Sequence, residues 1–314
     1  MPPTVAIVAA GAMGAALGAR LVSIGRCTVY TTLAGRSPAT VDRARKAGML
    51  DLPLSEISSN AEWVLSVLPP SEAHNFAKSF LAARSQSRST TGGTPTRVFV
   101  DCNAVSPATV KNISALFSGT GIAFLDAGII GGPPSDGYDP TIYASADASD
   151  TEHLDGFDRF NELGLKIRVL KGEEGNEGGG VGDASALKMS YAGITKGTTG
   201  LFSTMILAAH AASPQTASAL LSELSESQPI LLRRMGASIP PMISKAYRWV
   251  GEMEEIAAFV DSGIGSHAYR GLASLYARIE NELSENGRNN GDVRTLLEFA
   301  GEARRVSDSK ASSK

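Results

Sequence analysis

Short apolar runs punctuate the first 170 or so positions: TVAIVAA (4–10), CTVYTT (27–32), WVLSVLP (63–69), RVFVDCN (97–103), AFLDAGI (123–129), TIYASA (141–146) and KIRVLK (166–171). Between them lie stretches of helical character. Runs that are apolar throughout, rather than alternating, predict strands buried on both faces, and helices between strands predict parallel crossovers. The expected architecture is α/β, a doubly wound and mostly parallel sheet. The polar segment RSQSRSTTGGTPTR at 84–97 reads as a surface loop within it. After residue 183 strand signals largely vanish and long helical stretches continue to RTLLEFAGEARRV. The predicted domains are therefore 1–180, α/β, and 181–314, all-α, with an interdomain helix opening near 183. No internal repeat of fixed period is found.

Composition narrows the function classes. With 43% hydrophobic residues, 19% charged and a net charge of −3, the chain can bury a core and has no basic field to recruit nucleic acid. The 33 glycines and 6% aromatics point to tight turns and close helix packing. Cys27 and Cys102 form no C-x-x-C, so neither a disulfide framework nor a thiolate zinc site is expected, and a reducing cytoplasm is the default compartment. The apolar start has no basic leader, and LFSTMILAAHAA is shorter than the ~20 residues of a bilayer span, so no membrane segment is expected. SDSKASSK reads as a frayed polar tail. His74, His153, His210 and His267 are dispersed without ligand spacing, and no metal is expected. Lys245, Arg248 and Trp249 stand among apolar positions at helical spacing, as in a core helix with a solvated face.

Three features carry chemistry. In VAIVAAGAMG a strand ends in small residues, then Gly11, Ala12, Met13 and Gly14 lead into the helix AALGARL. This geometry lets backbone amides and a helix N-terminus receive a pyrophosphate, with Gly11 admitting the phosphates and Gly14 admitting close helix packing. Ala9 replaces the first glycine of G-x-G-x-x-G, and a plain tight turn stays open as the other reading. After the second strand, VYTTLAGRSPAT offers Arg36 and Ser37 with no carboxylate before Asp42. A guanidinium there suits a 2′-phosphate, so NADP (NADPH) is expected over NAD; an ordinary loop arginine is the alternative. In GDASALKMSYAGITKG, Lys188 shares a helical face with Ala184, Tyr191, Ala192 and Thr195 and has no obvious carboxylate partner nearby in sequence. Snorkelling over apolar surface explains such a lysine as well as a role in a site does.

AAGAMGAALGARL, LSVLPPSEA, DCNAVSP, DAGIIGGPP and GDASALKMSYAGITKG follow in the order and approximate spacing of the β-hydroxyacid and 6-phosphogluconate dehydrogenases, which this chain resembles over nearly its whole length. The helical half, with KAYRWVGEMEEIAAF, looks most like a phosphogluconate dehydrogenase-like branch. The resemblance implies a Rossmann domain followed by an all-α domain, and homodimers formed through the helical half. It implies cofactor contacts at Gly11, Ala12, Met13, Gly14, Arg36, Ser37, Leu68, Pro69 and Asn103. Substrate contacts are implied at Asn103, Gly131, Gly132, Tyr191 and Thr195, and Lys188 becomes the general acid/base beside the nicotinamide. Burial in a cleft and the positive end of its helix would draw such an amine towards neutrality. Asn103 can also be read as an Asx turn closing its strand.

The departures from that pattern matter as well. The chain lacks the Glu that protonates the enediol in 6-phosphogluconate dehydrogenases, which argues against oxidative decarboxylation. Ile130 stands where the hydroxyacid branch prefers serine, leaving the Gly131 and Gly132 amides to hold a substrate carboxylate. Tyr191 stands where that branch prefers Asn, as a hydroxyl donor or as pocket filler. His267 is a further residue that could reach the cleft. The reading is an NADP-dependent oxidoreductase of small hydroxy acids, β-hydroxy amino acids or related carbonyls. Imine reduction is the enzymatic alternative. A non-catalytic NADP(H) sensor is the alternative of another class, motivated by Ala9, Ile130 and Tyr191.

Overall fold

The computed structural model describes residues 2–86, 96–171, 180–260, 263–289 and 291–312. Its contacts divide the chain into two units, Met1–Met189 and Ser190–Lys314.

The first unit is built on β1 (Thr4–Val8), β2 (Thr28–Thr31), β3 (Leu50–Asp51), β4 (Trp63–Ser66), β5 (Val98–Asp101), β6 (Ala123–Ile130), β7 (Thr141–Ser145) and β8 (Ile167–Val169). All seven apolar runs are strands. The eighth strand, β3, is a two-residue pairing of exposed Leu50 and Asp51, too short to leave a pattern in the sequence. The order is β3-β2-β1-β4-β5-β6-β7-β8, parallel except for the β6–β7 pair. The chain reverses direction of travel between β1 and β4, which makes the C-terminal ends of these strands the switch point where such sheets bind ligands. The connection from Ile130 to Thr141 carries no helix, so β7 returns antiparallel.

Both faces are covered. Val5, Ile7, Val29, Leu65, Val100 and Leu125 belong to one core, joined by Trp63 stacked on Phe157. Ala6, Val8, Val64, Phe99 and Phe124 belong to the other, with Phe99 among Phe76, Phe80, Phe117 and Phe124. The covering helices are α1 (Ala12–Ser23), α2 (Pro38–Lys46), α3 (Leu54–Asn60), α4 (Pro70–Gln86), α5 (Pro107–Ala115) and α6 (Thr151–Asp158). Of the loop expected at 84–97, residues 84–86 are the end of α4, and 87–95 lie outside the described residues.

Helix α7 (Asp183–Ala212) continues through the division after Met189. The second unit continues with α8 (Pro214–Ser227), α9 (Pro229–Ile243), α10 (Ala246–Val260), α11 (Gly263–Asn286) and α12 (Gly291–Ser312). In this unit α10 packs on α11 and α9 on α12. Side chains at Gly193, Gly197 or Gly200 would run into Tyr269, Leu272 or Tyr276, so the small residues of α7 admit α11. The buried Tyr276 phenol donates to the Lys196 carbonyl at 2.5 Å, and burial pushes its pKa up. The expected frayed tail is instead helical to Ser312, held where Lys310 Nζ donates to the Ser225 carbonyl at 2.7 Å. Among the described residues no helix is long and apolar enough to cross a membrane.

Candidate active site

The turn after β1 is shaped from two glycines with different jobs. A Cβ at position 14 would sit 2.1 Å from the Ala9 carbonyl oxygen, so only glycine lets α1 start this close to its strand. A Cβ at position 11 would meet no protein atom within 4 Å, so there is room over this residue. Gly11 is the N-cap of α1 and supplies no side-chain acceptor. The first-turn amides of Ala12, Met13 and Gly14 therefore receive no cap from it and stand at the positive end of the helix, where an anion is favoured. These features fit a dinucleotide pyrophosphate.

The turn after β2 gathers polar groups. Ser37 caps α2, its Oγ 3.4 Å from the Thr40 amide and 3.1 Å from Thr40 Oγ1. Arg43, which sequence reasoning passed over, donates through Nη2 to Thr40 Oγ1 at 2.9 Å and through Nε to the Ala10 carbonyl at 3.4 Å. Arg36 has only a loose pairing with Glu72 at 3.8 Å. Two further carboxylates of this region have other partners: Asp42 pairs with Arg45 and Lys46, and Asp51 accepts the Leu33 amide.

A polar row crosses the sheet. Ser66, Asp101, Asp126 and Ser145 are register partners on β4, β5, β6 and β7, and all four are buried. Asp101 Oδ1 accepts the Asn103 amide at 2.9 Å. Asn103 in turn takes the Leu68 amide on Oδ1 at 2.6 Å and gives Nδ2 to Ser66 Oγ at 2.8 Å. Its side chain thus ties the loops after β4 and β5 together, rather than closing an Asx turn on itself. Pro69 lies in the first of these loops, where its carbonyl accepts the Glu72 amide at 3.0 Å to open α4. Asp101 Oδ2 has no hydrogen-bond partner among the described residues. Burial, with Asp126 adding repulsion, pushes the Asp101 carboxyl up to about 7 against the bonds from Asn103. Burial also raises Asp126, opposed by donors from Ser185, Gly182 and Ser145.

Asp126 and Ser145 do for α7 what an N-cap residue does for other helices. Asp126 Oδ2 accepts the Gly182 amide at 3.0 Å and the Ser185 amide at 2.9 Å, while Oδ1 accepts the Ser185 hydroxyl at 2.7 Å. Ser145 Oγ accepts the Ala184 amide at 3.1 Å. One turn further on, half-buried Lys188 donates from Nζ to the Ile129 carbonyl at 2.6 Å. Between these two anchors Gly128 lets the helix approach, since a Cβ there would lie 2.8 Å from the Ala184 oxygen.

The loop beyond β6 begins at Gly131, whose φ of 129° suits glycine. The Gly132 amide donates to the Tyr138 phenol at 3.2 Å, a partner not foreseen from sequence. Arg20 of α1 holds this loop through Asp139 at 2.9 Å and the Ser135 carbonyl at 2.6 Å. Gly11–Gly14, Arg36, Ser37, Leu68, Pro69, Asn103, Gly131, Gly132 and Lys188 all belong to the first unit, where Leu68 meets Asn103 and Lys188 meets the carbonyl two residues before Gly131. Tyr191 and Thr195 belong to the second unit, where Tyr191 is 48% exposed and Thr195 Oγ1 donates to the Tyr191 carbonyl at 2.8 Å. There Lys196 pairs with buried Glu252 and lies 5.2 Å over the Trp249 ring. Trp249, part-buried, packs edge-on against the buried Tyr276.

A doubly wound sheet whose first turn offers uncapped amides over open space belongs to the dinucleotide-binding class. Residues 4–167 match the NAD binding domain of 6-phosphogluconate dehydrogenase, and the chain belongs to that family. Residues 211–279 match a domain of unknown function, DUF1932. A stretch of 130 residues, 41% of this chain, is 25% identical to the mitochondrial 3-hydroxyisobutyrate dehydrogenase of Drosophila melanogaster and spans 37% of that protein. The conserved protein MTH1747, of unknown function and structurally similar to 3-hydroxyacid dehydrogenases, matches with a TM-score of 0.61 at 26% identity over 88% of this chain and 97% of its own. The 3-hydroxyisobutyrate dehydrogenase of Mycobacterium tuberculosis with L-serine shares the fold, with a TM-score of 0.61 at 18% identity over 95% and 99% of the two chains.

Proposed function

We propose that the protein is an NADP(H)-dependent oxidoreductase acting on a small 3-hydroxy acid, a β-hydroxy amino acid or the matching carbonyl compound, with Lys188 as general acid/base. The observation that carries this reading is the Lys188 amine, held 2.6 Å from the Ile129 carbonyl at the mouth of the Gly131–Gly132 loop. When bound, the nicotinamide supplies or accepts the hydride. Lys188 then answers the charge that develops on the substrate oxygen, giving a proton to it in reduction and taking one in oxidation. The Ile129 carbonyl keeps the amine aimed from a fixed direction. The Gly131 and Gly132 amides bind the substrate carboxylate in place of the Tyr138 phenol, compensating for Ile130 where a serine would serve. Asn103, whose side chain fastens the Leu68 amide to Ser66, holds the loops after β4 and β5 in place for the ribose.

Arg36, Ser37 and Arg43 favour the 2′-phosphate of NADP, because a guanidinium pairs with a phosphate and the turn that follows β2 offers no carboxylate before Asp42. The two buried, free cysteines suit a reducing cytoplasm. On α7, Ile194, Leu201 and Met205 are 66%, 57% and 56% exposed, an apolar stripe that supports a homodimer through the helical half.

The test mixes the protein with NADPH, follows binding by fluorescence, and then follows absorbance with 3-hydroxyisobutyrate, L-serine, the matching aldehydes and a cyclic imine. Turnover of a hydroxy acid or its aldehyde supports the proposal. Turnover of the imine alone replaces it with imine reduction, and tight binding without any turnover replaces it with a sensor.

A further inference from the structure

We infer that Asp126 is a positioning residue that holds Lys188 at its working place by capping α7 from the strand beneath. This rests on the acid/base reading of Lys188 for its catalytic consequence, though not for its geometry. A helix opens with four amides that its own turns cannot satisfy. In α7 these are accounted for almost entirely by side chains outside the helix: Gly182 and Ser185 by Asp126, and Ala184 by Ser145, while the Asp183 amide finds the Gly180 carbonyl at 3.3 Å. The residue before the helix, Gly182, has no side chain to offer and takes a φ of 113°. Asp126 therefore replaces a local cap, and because it sits on β6 it also fixes where the helix begins relative to the sheet.

The same strand fixes where the lysine ends. Asp126, Gly128 and Ile129 lie within four consecutive residues of β6 and provide the cap, the close approach and the acceptor for the amine. Loss of the cap releases the first turn, and Lys188, one turn further, swings with it. The carboxylate at the positive end of the helix adds to the hold. A buried acid in an otherwise apolar strand, facing another acid, is costly to keep. Position 182 cannot supply a serine or threonine cap, because its φ of 113° is one that L side chains rarely adopt and a Cβ there would meet Lys111 Cε at 3.0 Å. That Asp126 instead makes three bonds across 56 to 59 residues of chain is what points to the placement of the helix as its role.

The experiment is competitive acetylation of the cofactor-free protein with trace acetic anhydride at fixed pH, reading Lys188 against exposed lysines by mass spectrometry. Asp126→Ala, Asp126→Asn and Ser185→Ala are compared, with thermal melts and NADPH binding alongside. Asn keeps a carbonyl oxygen for the amides and an amide for the Ser185 hydroxyl, so it should rescue the position. Asp126→Ala is expected to raise Lys188 labelling by ~3- to 10-fold, the effect on the amine of losing its hydrogen bond to the Ile129 carbonyl. Ser185→Ala should raise it less, and Asp126→Asn should stay within about twofold of wild type on the same scale. If Asp126→Ala does not fold, the other two variants decide. Labelling unchanged in folded Ser185→Ala and Asp126→Ala, whatever their melting temperatures, overturns the inference, as does Asp126→Asn labelling like Asp126→Ala. Turnover separates this from the functional reading. Should Lys188→Ala keep wild-type turnover while Asp126→Ala exposes the amine, the acid/base reading falls and the positional one stands.

Discussion

Gly128 lies directly beneath Lys188: a Cβ at position 128 would come within 3.0 Å of the lysine's own Cβ. The strand and the helix are in backbone contact at the point where the amine leaves the helix. Gly128→Ala must therefore push α7 away from β6, because the Ala184 carbonyl, at 2.8 Å, is backbone and cannot swing aside. We expect a loss of about 1–3 kcal/mol in urea-induced unfolding, the usual cost of overpacking. Turnover should fall more than NADPH affinity, since Gly11–Gly14 lie on the other side of the sheet order. An Ala variant as stable and as active as wild type would show the contact to be unimportant.

Gly14 makes the opposite prediction for the cofactor. With the Ala9 carbonyl 2.1 Å from a new Cβ, Gly14→Ala forces α1 off β1 and moves its amides away from where a phosphate would sit. NADPH binding, followed by fluorescence, is expected to weaken by ~10-fold or more, as for a lost charge-assisted bond. Gly11→Ala has room in the protein alone and should leave the melting temperature near wild type while still weakening NADPH. Unchanged binding in both variants would move the pyrophosphate elsewhere.

Arg36→Ala is expected to weaken NADPH by ~10- to 100-fold and NADH by far less, because a guanidinium bonded to a 2′-phosphate contributes about 1.5–3 kcal/mol. Titrating both dinucleotides reads the ratio. Matched losses would show Arg36 to be indifferent to the phosphate.

Asp101 gives the protein a pH-dependent stability. Its carboxyl is pushed up to about 7 by burial, so between the ordinary carboxylate range and that value the folded chain keeps a proton that the unfolded chain releases. The resulting stability is fully present in acid below the unfolded value and is lost as pH rises through about 7. In Asp101→Asn the slope of unfolding free energy between pH 5 and 8 should shrink, and stability at pH 8 should rise by on the order of 2–4 kcal/mol relative to wild type. A steeper slope in the variant would reverse the assignment.

These residues also show what could be read from the sequence. The seven main strands were visible because apolarity on both faces leaves runs that no surface element would carry, and the turn after β1 was visible because the Ala9 carbonyl leaves no room for a side chain at Gly14. The two-residue β3 was invisible because so short a pairing needs no apolar pattern. Asp126 and Asp101 were missed for a different reason. Each stands in an apolar run, where one carboxylate does not disturb the strand signal, and the meaning of each depends on partners 59 and 2 residues away. An acid inside a run that should be buried on both faces was the available signal. Lys188 was legible as an odd lysine, while its partner is a backbone carbonyl of β6, which carries no sequence signature. Tyr138 and Arg43 were hidden because each acts through loop geometry that spacing alone does not set.

The most direct measurement compares Lys188→Ala with wild type for NADPH affinity and for turnover of whichever hydroxy acid or aldehyde the wild type accepts. Affinity is expected to stay nearly unchanged and turnover to fall by ~10²-fold or more, the scale of losing a general acid/base. Wild-type turnover in the variant would contradict it.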